Sequence, residues 1–231
     1  YKVILRYRRL WRAYKNTIFY IVSTCLLTGV LTTIAGYVFS RKRFFYRNRF
    51  MMFIAFTMLF NGGMIPTYMT IRALGMVDTP FAMVIPGALT VFNIIIMRTA
   101  MEGVPTELEE AAHMDGASDL LVLVRVILPL CKATFAVIML FTAVAKWNDY
   151  FSALLYIPTK SEYYPLQMIL REILITSTAD MEEAVSSLQN NANLYKKSIE
   201  YSSIVVSTIP ILCIYPFVQK YFVKGVMMGS I

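Results

Sequence analysis

Five apolar stretches, each about as long as a membrane is thick, constrain this chain more than any other feature. They lie near Thr17–Ser40, Phe50–Ile71, Pro80–Met101, Ala133–Ile157 and Ser202–Phe222. A hydrocarbon core of ~30 Å is crossed by roughly 20 helical residues, which each stretch can supply. None alternates apolar and polar residues as a barrel strand would. Composition agrees: of 231 residues 58% are hydrophobic and only 16% charged, with a mean hydropathy of +0.58. Soluble domains carry about a quarter charged residues. The expected fold is an all-α membrane protein, a polytopic helical bundle forming a single domain over residues 1–231.

A net charge of +8 could suggest nucleic acid, but the basic residues gather in short clusters beside the apolar stretches, as membrane-flanking residues do. Near-equal numbers of lysines and arginines fall on the two sides of alternating spans, so this bias does not set the orientation. Cys25, Cys131 and Cys213 are too scattered for a disulfide framework or a zinc site. His113 is the only histidine, and it sits among charged and small residues as a surface histidine does. The chain opens on Tyr1, not Met, with no secretory signal pattern, and its true N-terminus is expected to lie upstream.

Two connections are too long for turns and carry structure or function of their own. One is residues 158–201, polar, with Leu166, Ile169, Leu170, Ile173 and Leu174 at helical spacing. The other is residues 102–132. Within it, Thr106 with Glu109 reads as a capping box, and Glu107, Glu109 and Glu110 suit a helix N-terminus. Gly116 can close that helix in the left-handed conformation. Ser118 or Asp119 can cap a second helix, with Pro129 at its far end. The spacing predicts a compact, partly polar helical hairpin.

Glu110-Ala111-Ala112, Asp115-Gly116-Ala117 and Ile127-Leu128-Pro129 resemble, in order and spacing, the EAA loop of ABC importer permeases. The resemblance implies a type I importer permease fold in which this hairpin is the coupling helix, docked on a separate ATPase at the cytoplasmic side. It implies that docking role for Glu110, Ala111, Ala112, Asp115 and Gly116. It also implies that residues 102–132 and the C-terminus are cytoplasmic, that 158–201 is extracellular, and that the protein is multi-pass in a bacterial plasma membrane. Since such subunits commonly have six spans against the five seen, a further N-terminal span is expected before them. Asn16-Thr17, Met64-Ile65-Pro66-Thr67-Tyr68, Leu74–Pro80, Trp147-Asn148-Asp149 and Lys224-Gly225-Val226 resemble the carbohydrate-uptake branch, on the side of the maltose-importer permease MalG. Tyr164-Pro165-Leu166-Gln167 looks nearer to permeases for polysaccharides and complex oligosaccharides. The orientation leaves the six basic residues of Tyr1–Asn16 outside, against the usual bias, with Ile4, Leu5, Leu10 and Trp11 able to face lipid from a surface helix.

The implied function is a transmembrane permease subunit for a sugar or oligosaccharide, and not itself an enzyme. No GxxxxGK[ST] phosphate loop is present, so ATP and magnesium belong to the partner ATPase and no cofactor to this chain. The implied partners are a second homologous permease, an ATPase dimer, an extracellular solute-binding protein and membrane lipid. Polar groups inside spans usually face the bundle interior or a water-filled path. Asn61, Asn93, Trp147, Asn148, Asp149 and Tyr150 are therefore candidates for the substrate path, amides and carboxylates bonding sugar hydroxyls and aromatic faces stacking on rings. Hydrogen bonding between helices or to the partner permease is the alternative. Lys146 and Asp149 can pair within one helix. Permeases for peptides, phosphate or amino acids share the loop. A self-contained secondary transporter would need paired ionisable groups at a midplane site, for which only Lys146 and Asp149 offer material.

Overall fold

The computed structural model describes residues 8–60 and 62–173, together with positions 201, 204, 205, 208, 209 and 212. The described residues form helices joined by turns, without a strand. Asn61, Cys213, Ile4, Leu5 and most of the expected span Ser202–Phe222 lie outside them.

Helix α1, Arg8–Ser40, is 33 residues long and is the one unbroken helix among the described residues that is long and apolar enough to span a membrane. Its buried positions follow a three-four rhythm through Leu10, Ala13, Thr17, Tyr20, Thr24, Thr28, Thr32, Gly36 and Ser40. That face is mostly small and polar. The opposite face carries Ile18, Val22, Leu26, Val30, Ile34 and Val38, all exposed. A soluble helix would do the reverse. Small residues inside and branched apolar residues outside is the arrangement that lipid favours. Leu10 is 1% exposed, so it is a core residue and not the lipid-facing member of a surface helix. The helix runs straight through it.

Three of the expected spans are interrupted. Residues 50–71 fall in α2, Arg47–Leu59, and α3, Met64–Ala73. Residues 80–101 fall in α4, Pro80–Val84, and α5, Val91–Glu102. Pro86 lacks an N–H and Gly87 disfavours helix, so the ladder stops between them. Next come α6, Thr106–Met114, and α7, Asp119–Leu130. Residues 133–157 fall in α8, Lys132–Trp147, and α9, Phe151–Tyr156, and α7 meets α8 at 83°. A single 3-10 turn at Ser161–Tyr163 and a helix at 166–173 follow. Counting each bent pair as one span, the described residues hold up to three.

The chain divides into two compact units, 1–22 with 68–83 and 144–218, and 23–67 with 84–143 and 219–231. In the first, the start of α1 holds the segment after the 3-10 turn by its polar side chains. Asn16 Nδ2 donates to the carbonyls of Glu162 and Tyr164 at 2.7 and 3.0 Å. Tyr20 donates to the Tyr163 carbonyl at 2.8 Å, and the Leu166 amide donates to Thr17 Oγ1 at 2.8 Å. Lys146 Nζ donates to the Met83 carbonyl at 2.8 Å, where α4 ends. In the second unit, Thr28 donates to the Ala88 carbonyl at 2.6 Å inside the break before α5. Backbone freed by a broken membrane helix must find such partners.

Candidate functional site

The hairpin α6–α7 is built into the core of the second unit. That core comprises Tyr37, Met97, Met101, Val104, Val122, Leu123, Ile127, Cys131 and Ile138, with Ala112 and Ala117 packed against it. The first helix closes as its sequence predicts. Gly116 has φ +82°, its amide donates to His113 at 2.9 Å, and the Ala117 amide reaches Ala112 at 3.0 Å. This six-to-one and five-to-two pair is the Schellman closure, and it needs the left-handed residue that glycine provides.

The capping box does not form. Pro105 holds the cap position without a side-chain bond, and Thr106 is already helical. Glu109 turns inward instead, accepting a hydrogen bond from Tyr37 at 3.1 Å and pairing with Arg41. A guanidinium is a stronger partner than a backbone amide, so the tertiary contact displaces the local one. Arg41 also donates to the Met101 carbonyl at 2.6 Å and to Ser40 Oγ at 2.9 Å, and lies 5.2 Å over the Tyr37 ring. Ser118 takes the cap position of α7, also without a side-chain bond. A π-helical turn at Leu123–Ile127 leads to Pro129, which has no N–H for the Arg125 carbonyl.

Glu109 and Ala112 therefore face the core, and Glu110, Ala111, Met114 and Asp115 face out. Of the five residues expected to dock, Glu110, Ala111, Asp115 and Gly116 are exposed and Ala112 is half-buried, supporting the hairpin from below. Met114 is 89% exposed and Leu120 67%. The surface is thus small, partly apolar and edged by carboxylates. His113 lies beside it, Nδ1 2.9 Å from the Ala117 carbonyl and Nε2 3.4 Å from Asp119. An open cleft of about 900 Å³ runs between the hairpin and the basic turn after α1, lined by Arg41, Arg43, Arg47, Glu109, Glu110 and His113 among others. Tyr37 and Arg41 are the residues that sequence reading missed here, and Glu109 it read as a local cap. The only signal was a basic run beginning as α1 ends.

The path candidates divide between the units. Asn93 is 9% exposed in the second, where its backbone N–H donates to Thr90 Oγ1 at 3.3 Å, so that Thr90 caps α5. Trp147, Asn148, Asp149 and Tyr150 belong to the first, in the turn between α8 and α9. Lys146 pairs with Asp149 at 2.9 Å, the pairing expected from their spacing. Asp149 also accepts the Ser152 amide at 3.0 Å. Asn148 is exposed, and its side-chain amide donates back to its own helix, at the Val144 carbonyl. Trp147 is 7% exposed, packs edge-on to Tyr14 at 6.2 Å, and its Nε1 has no hydrogen-bond partner among the described residues. Tyr150 is 42% exposed, with Arg171 5.7 Å over its ring.

The chain is 38% identical over 221 residues to the polygalacturonan/rhamnogalacturonan transport system permease protein YtcP of Bacillus subtilis (strain 168), covering 94% of this chain and 77% of that one. It is 39% identical over 231 residues to the protein LplC of the same organism, covering all of this chain and 77% of LplC. A solved bacterial ABC transporter involved in the import of the acidic polysaccharide alginate matches with a TM-score of 0.84 at 37% identity, over 96% of this chain and 78% of that one. The family model for the inner membrane component of binding-protein-dependent transport systems matches residues 26–228, and the chain belongs to that family.

Proposed function

We propose that this chain is one of two permease subunits of a bacterial ABC importer, and that the α6–α7 hairpin couples it to a separate ATPase on the cytoplasmic side. The outward face of α6 carries the reading. Glu110, Ala111, Met114 and Asp115 form an exposed docking surface closed by Gly116, and Arg41 braces it from behind through Glu109. ATP-driven closure of the partner would push on a hairpin that is bonded to the end of α1, so the push reaches a membrane helix directly. This orientation puts Arg41–Arg49 and the C-terminus in the cytoplasm and 158–201 outside.

The cargo in this proposal is an oligosaccharide delivered by an external binding protein, and specifically one bearing carboxylates. Two similar proteins support that choice through their names, one a polygalacturonan transporter and one an importer of an acidic polysaccharide. Lys146 and Asp149 satisfy each other and nearby backbone, which weighs against their serving as the ion-coupling pair of a secondary transporter. The test is co-purification of the chain with its ATPase, repeated with Glu110→Lys and Gly116→Trp. Loss of assembly, or of ATP hydrolysis stimulated by the loaded binding protein, is expected. Unchanged assembly and stimulation in both variants would refute the coupling role.

A further inference from the structure

The outer end of α1, on the orientation proposed above, carries more positive charge than the positive-inside bias allows. Arg8, Arg12 and Lys15 lie within its first turns. The helix at 166–173 runs antiparallel beside it, since Leu166 meets Thr17 and Glu172 meets Arg9 at 3.5 Å. Arg171 is therefore level with the turns that hold Arg9 to Tyr14. Among the described residues its guanidinium pairs with no carboxylate and lies instead over the Tyr150 ring. A guanidinium that lies over an aromatic face and joins no carboxylate can still offer N–H donors to a planar carboxylate.

An aromatic run lies at the same level. Trp11, half exposed, tilts against Tyr14 at 5.9 Å, and Tyr14 meets Trp147 at 6.2 Å. Trp147 holds a buried indole N–H without an acceptor among the described residues. Aromatic faces at about ring spacing suit the apolar faces of pyranose rings, and a nearby cation with no carboxylate partner among the described residues suits the charge such rings carry when oxidised at C6.

We infer that Trp11, Tyr14, Tyr150 and Arg171 form a binding surface for uronate-bearing sugar rings, with Trp147 packed behind Tyr14 and Arg171 taking the carboxylate. Arg8, Arg12 and Lys15 attract the anionic chain toward it. The basic residues that break the orientation bias thus have a use on the outer side. This rests on the importer reading and adds to it the residues that recognise acid sugars.

The experiment uses the complete transporter, with its binding protein, in vesicles of neutral lipid, so that anionic headgroups do not compete. Uptake of trigalacturonate is compared with that of its methyl ester, which has the same rings without the charge. Each ratio is referred to wild type with the same binding protein, whose own preference then cancels. Arg171→Gln is expected to lower the acid-to-ester ratio roughly tenfold, the loss of one charged hydrogen bond, and Arg171→Lys to retain most of it. Trp11→Ala is expected to slow both substrates together, because stacking is blind to charge. An unchanged ratio in Arg171→Gln with uptake intact overturns the proposal and leaves the importer reading standing. A wild-type complex that assembles and hydrolyses ATP but imports only neutral oligosaccharides overturns it as well. Failure to assemble with any ATPase would count against the importer reading itself.

Discussion

Glu109 and Arg41, 68 residues apart in sequence, form an ion pair that ties the α6–α7 hairpin to the end of α1. Their side chains are 17% and 11% exposed, and Tyr37 donates to the same carboxylate. Partial burial makes the pair more than a surface ornament. Removing either member leaves the other poorly solvated, so Arg41→Met or Glu109→Leu should each destabilise by about 2–4 kcal/mol. The double variant should cost less than the sum, because it leaves no orphaned charge. Thermal unfolding of the detergent-purified complex measures this, and a strictly additive double variant would contradict a direct pair.

Gly116 gives a cleaner case, since a Cβ there meets nothing within 4 Å and only the +82° φ opposes it. Gly116→Ala should therefore cost about 1 kcal/mol from conformation alone. Gly116→Asn should cost less, because asparagine tolerates the left-handed region. Equal losses for the two, read from unfolding midpoints, would argue against backbone strain as the cause.

At Gly36 the opposition is steric. An added Cβ would lie 2.9 Å from Met97 Cγ and 3.3 Å from the Arg98 amide nitrogen. Gly36→Ala should destabilise by roughly 1–3 kcal/mol through forced separation of α1 and α5. Met97→Ala in that background should relieve only part, since the backbone contact stays. Complete relief would show that the side chain alone sets the approach.

Lys146 and Asp149, 12% and 15% exposed, offer a way to separate scaffold from path. As scaffold, Lys146→Met or Asp149→Leu alone should cost about 3 kcal/mol and the double variant far less. Uptake should then return with stability in the double variant. A stable double variant that no longer imports would instead place Asp149 among the substrate contacts.

Asp78 predicts a pH response outside the membrane spans. It sits at φ +57° with its amide on the Tyr156 carbonyl at 2.8 Å. Its carboxylate accepts from the Thr159 hydroxyl at 2.7 Å and from the Thr159 and Lys160 amides. The Thr159 hydroxyl is the main reason its pKa lies below the ordinary 3.8. A lowered folded pKa means the clamp's stabilisation is present above about 3.8 and lost as pH falls through the lowered value. Amide-exchange protection of Thr159 and Lys160 should therefore hold at neutral pH, fall in acid, and be low at all pH in Asp78→Ala. Protection independent of both pH and the substitution would rule the clamp out.

Short-range signals carried much of this protein. The apolar lengths specify membrane helices, and Gly116 specifies how α6 ends, because both depend only on neighbouring residues and the solvent they meet. The pairing of Lys146 with Asp149 was legible for the same reason, being one helical turn. The inward turn of Glu109 was not. Locally it suits a capping box, and only the fold brings Arg41 close enough to outbid the cap. Nor did hydropathy reveal the break at Pro86 and Gly87, since a window average does not register where backbone bonding fails. That break persists because Thr28, 60 residues away, takes the Ala88 carbonyl. The sequence by itself determined that this chain lives in lipid and presents a glycine-closed hairpin. Tertiary structure alone decided which side chains brace that hairpin and that Arg171 lies over the Tyr150 ring, because such contacts depend on distance in space between residues far apart along the chain.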